Sequence, residues 1–436
     1  MMAWALPILY FLFFAFIIEK AKFFDVKGVT PKWIQLLFLV KCSAGVALWW
    51  IYSYHYQYRD TSDAFRYFDD AMVILDLLKN DPEMFFRFMF GVRLDDPSLQ
   101  PVFDRMHGWT SSYSYGIQND NPTIIRINVI IGLLSFGNYH VHTLAMSFLS
   151  LIGVVLILKV LSRWDASLVK IFLVFMFTLP NLIFWSSGLL KEAPLIFAIG
   201  LLIYGLIQLN NRNVIALIYL PIVILFLFYL KGYVILCMLP ALAFYISTLL
   251  VKKRWQILLI GSIGLIFVWF ATNALYPAGD YLYVLQKKQT DFYNVAELQE
   301  AGSVVEMPPI GNLKEYVMSL PYYLTHAFFR PFWREGKGLF YLVCKIEIVW
   351  FIGMLVVGFI GLIRTHDSDA FRLTCFGWLV LVVLGAVIGS TVPILGAVVR
   401  YKIPALFVFS ICASFGIDAL LRWYFPHRFV ETPKSS

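Results

Sequence analysis

Residues 213–250 read NVIALIYLPIVILFLFYLKGYVILCMLPALAFYISTLL, and Lys231 is the sole charge in the stretch. Each apolar run flanking Lys231-Gly232-Tyr233 approaches the roughly 20 residues that cross a bilayer as a helix. Runs of the same kind recur on both sides. Spans are expected near 3–18, 33–52, 139–160, 170–187, 189–208, 213–230, 233–250, 256–275, 342–363, 373–391 and 402–421. Composition agrees: 60% of the residues are hydrophobic and 14% charged, where a soluble domain carries about 25% charged residues. The ten-residue alternation of an outer-membrane barrel strand is not seen. The expected fold is an all-α integral membrane protein with eleven transmembrane helices, or twelve if residues 123–137 also cross. It is read as a single polytopic domain over residues 1–436.

The net charge of +8 does not indicate nucleic-acid binding, because the cations cluster in short connections, where they orient helices. Lys20, Lys22, Lys27, Lys32, Arg163, Lys170, Arg212, Lys252, Lys253, Arg254, Arg364, Arg372, Arg422 and Arg428 all become cytoplasmic if the N-terminus is outside and the C-terminus inside. This scheme requires that residues 123–137 do not cross. Their apolar run is short and carries Arg126 and Asn128, which suits a re-entrant or interfacial segment. Two large loops, 53–138 with surface helices and 276–341, then face outward, together with the connections 185–192, 231–232 and 392–401. Residues 3–18 are followed by Glu19-Lys20-Ala21-Lys22 without a small-residue cleavage site, so they read as a retained helix. The five cysteines show no CxxC or Cys/His spacing, so neither a disulfide framework nor a zinc site is indicated. The tail Glu431–Ser436 reads as disordered.

The chemistry-bearing segments all fall on that outward face. Residues 61–79 read as an amphipathic helix, with Phe65, Phe68, Met72 and Leu75 on one side and Asp63, Tyr67 and Asp70 along another. Asp63 or Asp60 is a candidate general base for an acceptor hydroxyl. Equally, Asp60 as N-cap with Asp63 three residues on is a capping-box-like arrangement that needs no catalysis. Asp69, Asp70 and Asp76 read as a solvated face, and His140 and His142 as interfacial anchors.

The cations come in four groups. Trp185-Ser186-Ser187-Gly188-Leu189-Leu190-Lys191-Glu192 breaks two apolar runs. The following helix is expected to begin near Leu190 and offers its N-terminus, with Lys191, to an anion. Lys231, in the shortest turn, reads as a snorkelling anchor. Arg330-Pro331-Phe332-Trp333-Arg334-Glu335 is the strongest candidate: arginine forks suit phosphate oxygens, and the aromatics suit a prenyl chain or a sugar. Arg400-Tyr401-Lys402-Ile403-Pro404 opens the last span, with Pro404 in its first turn. No P-loop, GxSxG or HExxH motif occurs.

Asp60/Asp63-Ala64-x-x-Tyr67 early in the chain and Arg400-Tyr401-x-x-Pro404 before the last span resemble the polytopic lipid-linked-sugar glycosyltransferases of the GT-C class. The Phe-Trp-Ser-Ser-Gly-x-x-Lys-Glu and Arg-Pro-Phe-Trp-x-Glu stretches resemble segments of bacterial membrane proteins of glycan assembly. Two features depart from the class: the acidic loop follows the second span rather than the first, and Ser62-Asp63 replaces the common Asp-Glu pair. The resemblance implies a GT-C-like bundle in a bacterial inner membrane. Its donor would be a polyprenyl-phosphate-linked sugar, and its acceptor a hydroxyl of a glycan or lipid. Asp63 would act as base. Arg330, Arg400 and Lys191 would stabilise the leaving phosphate, with Arg334, Tyr401, Lys402, Glu192, Tyr67 and Trp333 around the substrate. The class leaves a divalent metal open. A repeat-unit polysaccharide polymerase fits the same residues, and a lipid-linked glycan transporter or flippase is the rival of another class.

Overall fold

The computed structural model describes residues 2–55, 59–111, 120–275, 281–298 and 301–425. The tail read as disordered lies outside the described residues. Helices dominate, and the β pairing among the described residues is confined to the isolated bridges Val26–Val29 and Val304–Ile394. In order, the helices are α1 (Met2–Lys20), α2 (Pro31–His55), α3 (Asp63–Asn80), α4 (Pro82–Phe90), α5 (Gln100–Phe103), α6 (Asn121–Ser135), α7 (Tyr139–Leu161), α8 (Ala166–Thr178) and α9 (Pro180–Trp185). They continue with α10 (Glu192–Asn210), α11 (Ile215–Ser247), α12 (Arg254–Leu275), α13 (Tyr281–Leu298), α14 (Leu313–Phe329), α15 (Leu339–Arg364), α16 (Ser368–Thr391), α17 (Leu395–Tyr401) and α18 (Ile403–Tyr424).

Seven helices among the described residues are long and apolar enough to cross a membrane: α2, α7, α10, α11, α15, α16 and α18. The chain is an all-helical, multi-pass membrane protein. Helices are what lipid permits, because each satisfies its own backbone N–H and C=O groups. The break expected between spans 213–230 and 233–250 falls at Lys231, a residue with non-helical backbone angles inside α11. The expected span at 170–187 is corrected. It is divided into α8, of 13 residues, and α9, of 6, because Pro180 lacks a donor and disfavours helical geometry just before it. Residues 123–137, expected not to cross, form the short apolar helix α6.

The chain divides into two compact units: Met1–Val169 with Leu182–Ile235, and Lys170–Asn181 with Leu236–Ser436. In the first, α7 and α10 approach at Gly153 and Gly200, where a Cβ on Gly200 would meet the Gly153 backbone. Small residues allow such close helix contact in membranes. Phe14, Phe38 and Phe148 interlock beside them. In the second, α15 and α18 pack at Gly361 and Gly416, and α16 receives α14 at Gly389, against the Tyr323 backbone. Arg372, 1% exposed, donates to the carbonyls of Thr248, at 3.0 Å, and Val251. It thereby ties α16 to the turn that follows α11.

Candidate functional site

In the first unit, α3 forms where the apolar periodicity predicts it, burying Phe65, Tyr67, Phe68 and Ala71. The capping-box reading does not hold. Ser62 is the N-cap, with no side-chain cap bond, and Asp60 lies in a 3-10 turn, Arg59–Thr61, its carbonyl accepting from Arg66 Nε. Asp69 and Asp76 keep to the surface, facing Arg59 at 2.7 Å and Arg105 at 3.8 Å. Asp70 does not. It is fully buried, and its carboxylate accepts backbone N–H bonds from His107, Gly108 and Trp109 at 2.8, 2.8 and 3.0 Å. It organises the loop after α5. Burial pushes its carboxyl above the usual range, against the pull of those three donors.

The segment between α9 and α10 is non-helical, as its Ser-Ser-Gly predicts, although α10 starts at Glu192 rather than near Leu190. Lys191 is buried. Its ammonium donates to Asp120 and, at 2.6 Å, to Asn121 Oδ1, and lies 5.3 Å from the Tyr67 ring centre. The structure therefore brings Tyr67 and Lys191 together. Asp63 lies one turn before Tyr67 on α3, the spacing that places side chains on one face. Ahead of α10, the carboxylate beside Lys191 is that of Asp120. Glu192 is fully buried and accepts from Lys231 Nζ at 2.7 Å, so Lys231 is a buried ion-pair partner and not a snorkelling anchor. His142 is also buried, bonded to Ser135 Oγ at 2.7 Å and Asn128 Oδ1 at 2.9 Å, and is no interfacial anchor. His140 stacks on Trp4.

In the second unit, Arg330 follows the last residue of α14. Its guanidinium lies 4.8 Å from the Phe332 ring centre and 5.8 Å from that of Tyr322. Its side chain is only 11% exposed, and Nη1 is 3.5 Å from Glu335 Oε1. Nε and Nη1 are buried without a hydrogen-bond partner. Trp333 is 73% exposed, with Lys345 Nζ 5.9 Å from its ring centre, and Arg334 is exposed. Arg400 and Tyr401 end α17, half-buried, with the Tyr401 and Phe292 ring centres 6.0 Å apart. Lys402 is the N-cap of α18, Pro404 lies in its first turn as expected, and Lys402 is 2% exposed. Its electrostatic neighbours are Glu347 and Cys344. Glu347 itself accepts from Asn181 N and Nδ2 at 2.9 and 3.0 Å, capping the first turn of α9.

His326 and Lys41 belong to none of the candidate segments of the sequence, yet both are buried polar groups. His326 lies four residues before Arg330, 1% exposed, with Nε2 2.7 Å from the Val392 carbonyl. Its spacing from Arg330 was the available signal. Lys41, buried within α2, donates to Ser186 Oγ at 2.7 Å, and a charge inside an apolar run was a signal too. Among the described residues no three His, Cys, Asp or Glu side chains converge as a metal site. No protein-family model, curated protein or solved structure matches the chain.

Proposed function

We propose that the protein is a membrane glycosyltransferase that moves a sugar from a polyprenyl-phosphate-linked donor to an acceptor hydroxyl on the outer face of a bacterial inner membrane. The observation that carries this reading is Arg330. It is a cation with two buried donors that make no hydrogen bond, Nη1 having the Glu335 carboxylate 3.5 Å away, set among the aromatic faces of Tyr322 and Phe332. Phosphate oxygens fill such donors with charge-assisted bonds. Exposed Phe332 and Trp333 add the apolar surface that a prenyl chain needs beside its head group. In this reading the arginine stabilises the phosphate as it leaves, carrying the electron pair of the broken glycosidic bond.

The test is product analysis in liposomes with polyprenyl-phosphate-linked sugars and acceptor glycans, comparing wild type with Arg330→Gln and Asp63→Asn. Transfer that fails in a folded Arg330→Gln variant supports the reading, and failure in a folded Asp63→Asn variant supports Asp63 as the base. A ladder of products would make it a polymerase. Donors left intact while the lipid-linked substrate crosses the bilayer would replace the enzyme reading with transport.

A further inference from the structure

We propose that His326 reads the sugar of the phosphate-linked substrate, its Nδ1 accepting a hydrogen bond from a sugar hydroxyl while Arg330 holds the phosphate. This inference rests on the reading of the chain as acting on lipid-linked sugar phosphates.

The tautomer follows from the partner. Nε2 lies 2.7 Å from the Val392 carbonyl, and a carbonyl only accepts, so Nε2 carries the proton and Nδ1 of the neutral ring is a lone pair. That lone pair is buried with no hydrogen-bond partner among the described residues. A buried acceptor left open in a native fold calls for an explanation. Tyr322, His326 and Arg330 follow at four-residue steps. The Tyr322 and His326 rings are parallel within 5° at 6.2 Å, and the Arg330 guanidinium is 5.8 Å from the Tyr322 ring centre.

The group therefore offers unfilled donors with positive charge and one unfilled acceptor. A phosphate diester can only accept, so it satisfies Arg330 and leaves Nδ1 open. A hydroxyl supplies what Nδ1 lacks. The complementary ligand is a sugar phosphate rather than a phosphodiester without a hydroxyl. Glu335 now faces Arg330 at 3.5 Å, its other oxygen accepting from the Phe332 N–H at 2.8 Å, and a phosphate would compete with it. Arg330 and Glu335 are the charged groups acting on His326. Burial and Arg330 lower the affinity of the ring for a proton, while the Val392 bond and Glu335 oppose them.

The experiment measures binding to the full-length protein in nanodiscs. Its probes are a short-chain prenyl methyl phosphate, a diester without a hydroxyl, and the same prenyl phosphate carrying glucose, galactose or mannose. His326→Gln keeps an amide N–H for the Val392 carbonyl and moves the acceptor from the ring position of Nδ1 to an amide oxygen. Wild type is expected to prefer one hexosyl probe over the methyl diester by about 3- to 10-fold, the value of one neutral hydrogen bond. His326→Gln should bind both alike, and Arg330→Gln should weaken both. In wild type the preference should fade on acidification, as Nδ1 takes a proton. A preference retained in His326→Gln, independent of pH, or absent from wild type overturns the assignment while the phosphate reading stands. Undiminished binding by Arg330→Gln, or no binding of any probe by wild type, overturns both.

Discussion

Glu192 and Lys231 meet at 2.7 Å with side chains 0% and 4% exposed. The pair ties the first turn of α10 to the break in α11, so two interrupted stretches of membrane helix are fastened by opposite charges. Burying both ions is costly, and removing one strands the other in a medium that cannot solvate it. Lys231→Met is expected to lower unfolding stability by about 3–5 kcal/mol, measured by denaturation of the detergent-solubilised protein. Adding Glu192→Gln should recover a substantial part of that loss. A Lys231→Met variant as stable as wild type would mean the pair does not hold the break.

Lys41 presents the opposite case. Its ammonium is buried and bonded to Ser186, and no carboxylate pairs with it among the ion pairs of the described residues. Around it the packing is tight: a Cβ on Gly45 would meet the Ser187 backbone. A buried cation bonded to a hydroxyl, with no carboxylate beside it among the described residues, costs more than an apolar side chain of similar length. Lys41→Met is therefore expected to leave stability unchanged or raise it, read from the same unfolding midpoint. A loss comparable to that of Lys231→Met would show that the charge itself is required.

Gly200 tests the packing of the first unit. Its Cα faces Gly153 so closely that a Cβ would strike backbone rather than a side-chain end. Backbone cannot step aside cheaply in a close-packed interior. Gly200→Leu is expected to cost about 1–3 kcal/mol or more, whereas Gly302→Ala, where nothing lies within 4 Å, should stay within about 0.5 kcal/mol. Equal effects of the two would contradict the α7–α10 contact.

Much of the architecture was legible because apolar length is a local signal. The runs at 139–160, 189–208, 342–363, 373–391 and 402–421 each lie within or largely within one long apolar helix. The periodicity at 61–79 likewise gave α3, and Ser186-Ser187-Gly188 gave the break before α10. The site was less legible, because partnership is not local. Asp70 and Asp69 are neighbours of one residue type, yet Asp70 is buried by donors 37 to 39 positions away. Lys231 looked like a lone cation in a short turn because Glu192 is 39 residues earlier. The proton of His326 is fixed by a carbonyl 66 residues downstream. Arg330 stood out from the sequence for its aromatic and proline neighbours, but its unfilled donors appear only once Glu335 and Tyr322 are in place.

The environment of His326 sets a pH dependence whose sign can be worked out. Burial is the largest influence and Arg330 adds to it, so the folded protein binds this proton more weakly than the unfolded chain does, whose imidazole titrates near pH 6.5 or so. The folded state thus favours the neutral ring. The stability this contributes is fully present above about pH 6.5 and is lost as pH falls through the lower folded value. Other titrating groups shift wild type and variant alike, so the informative quantity is the difference between wild type and His326→Gln across pH 7.5 to 5. Wild type should lose stability relative to His326→Gln as the solution is acidified. If it gains instead, the imidazole is charged in the folded protein, Nδ1 carries a proton, and the donor–acceptor pattern beside Arg330 is the reverse of the one described.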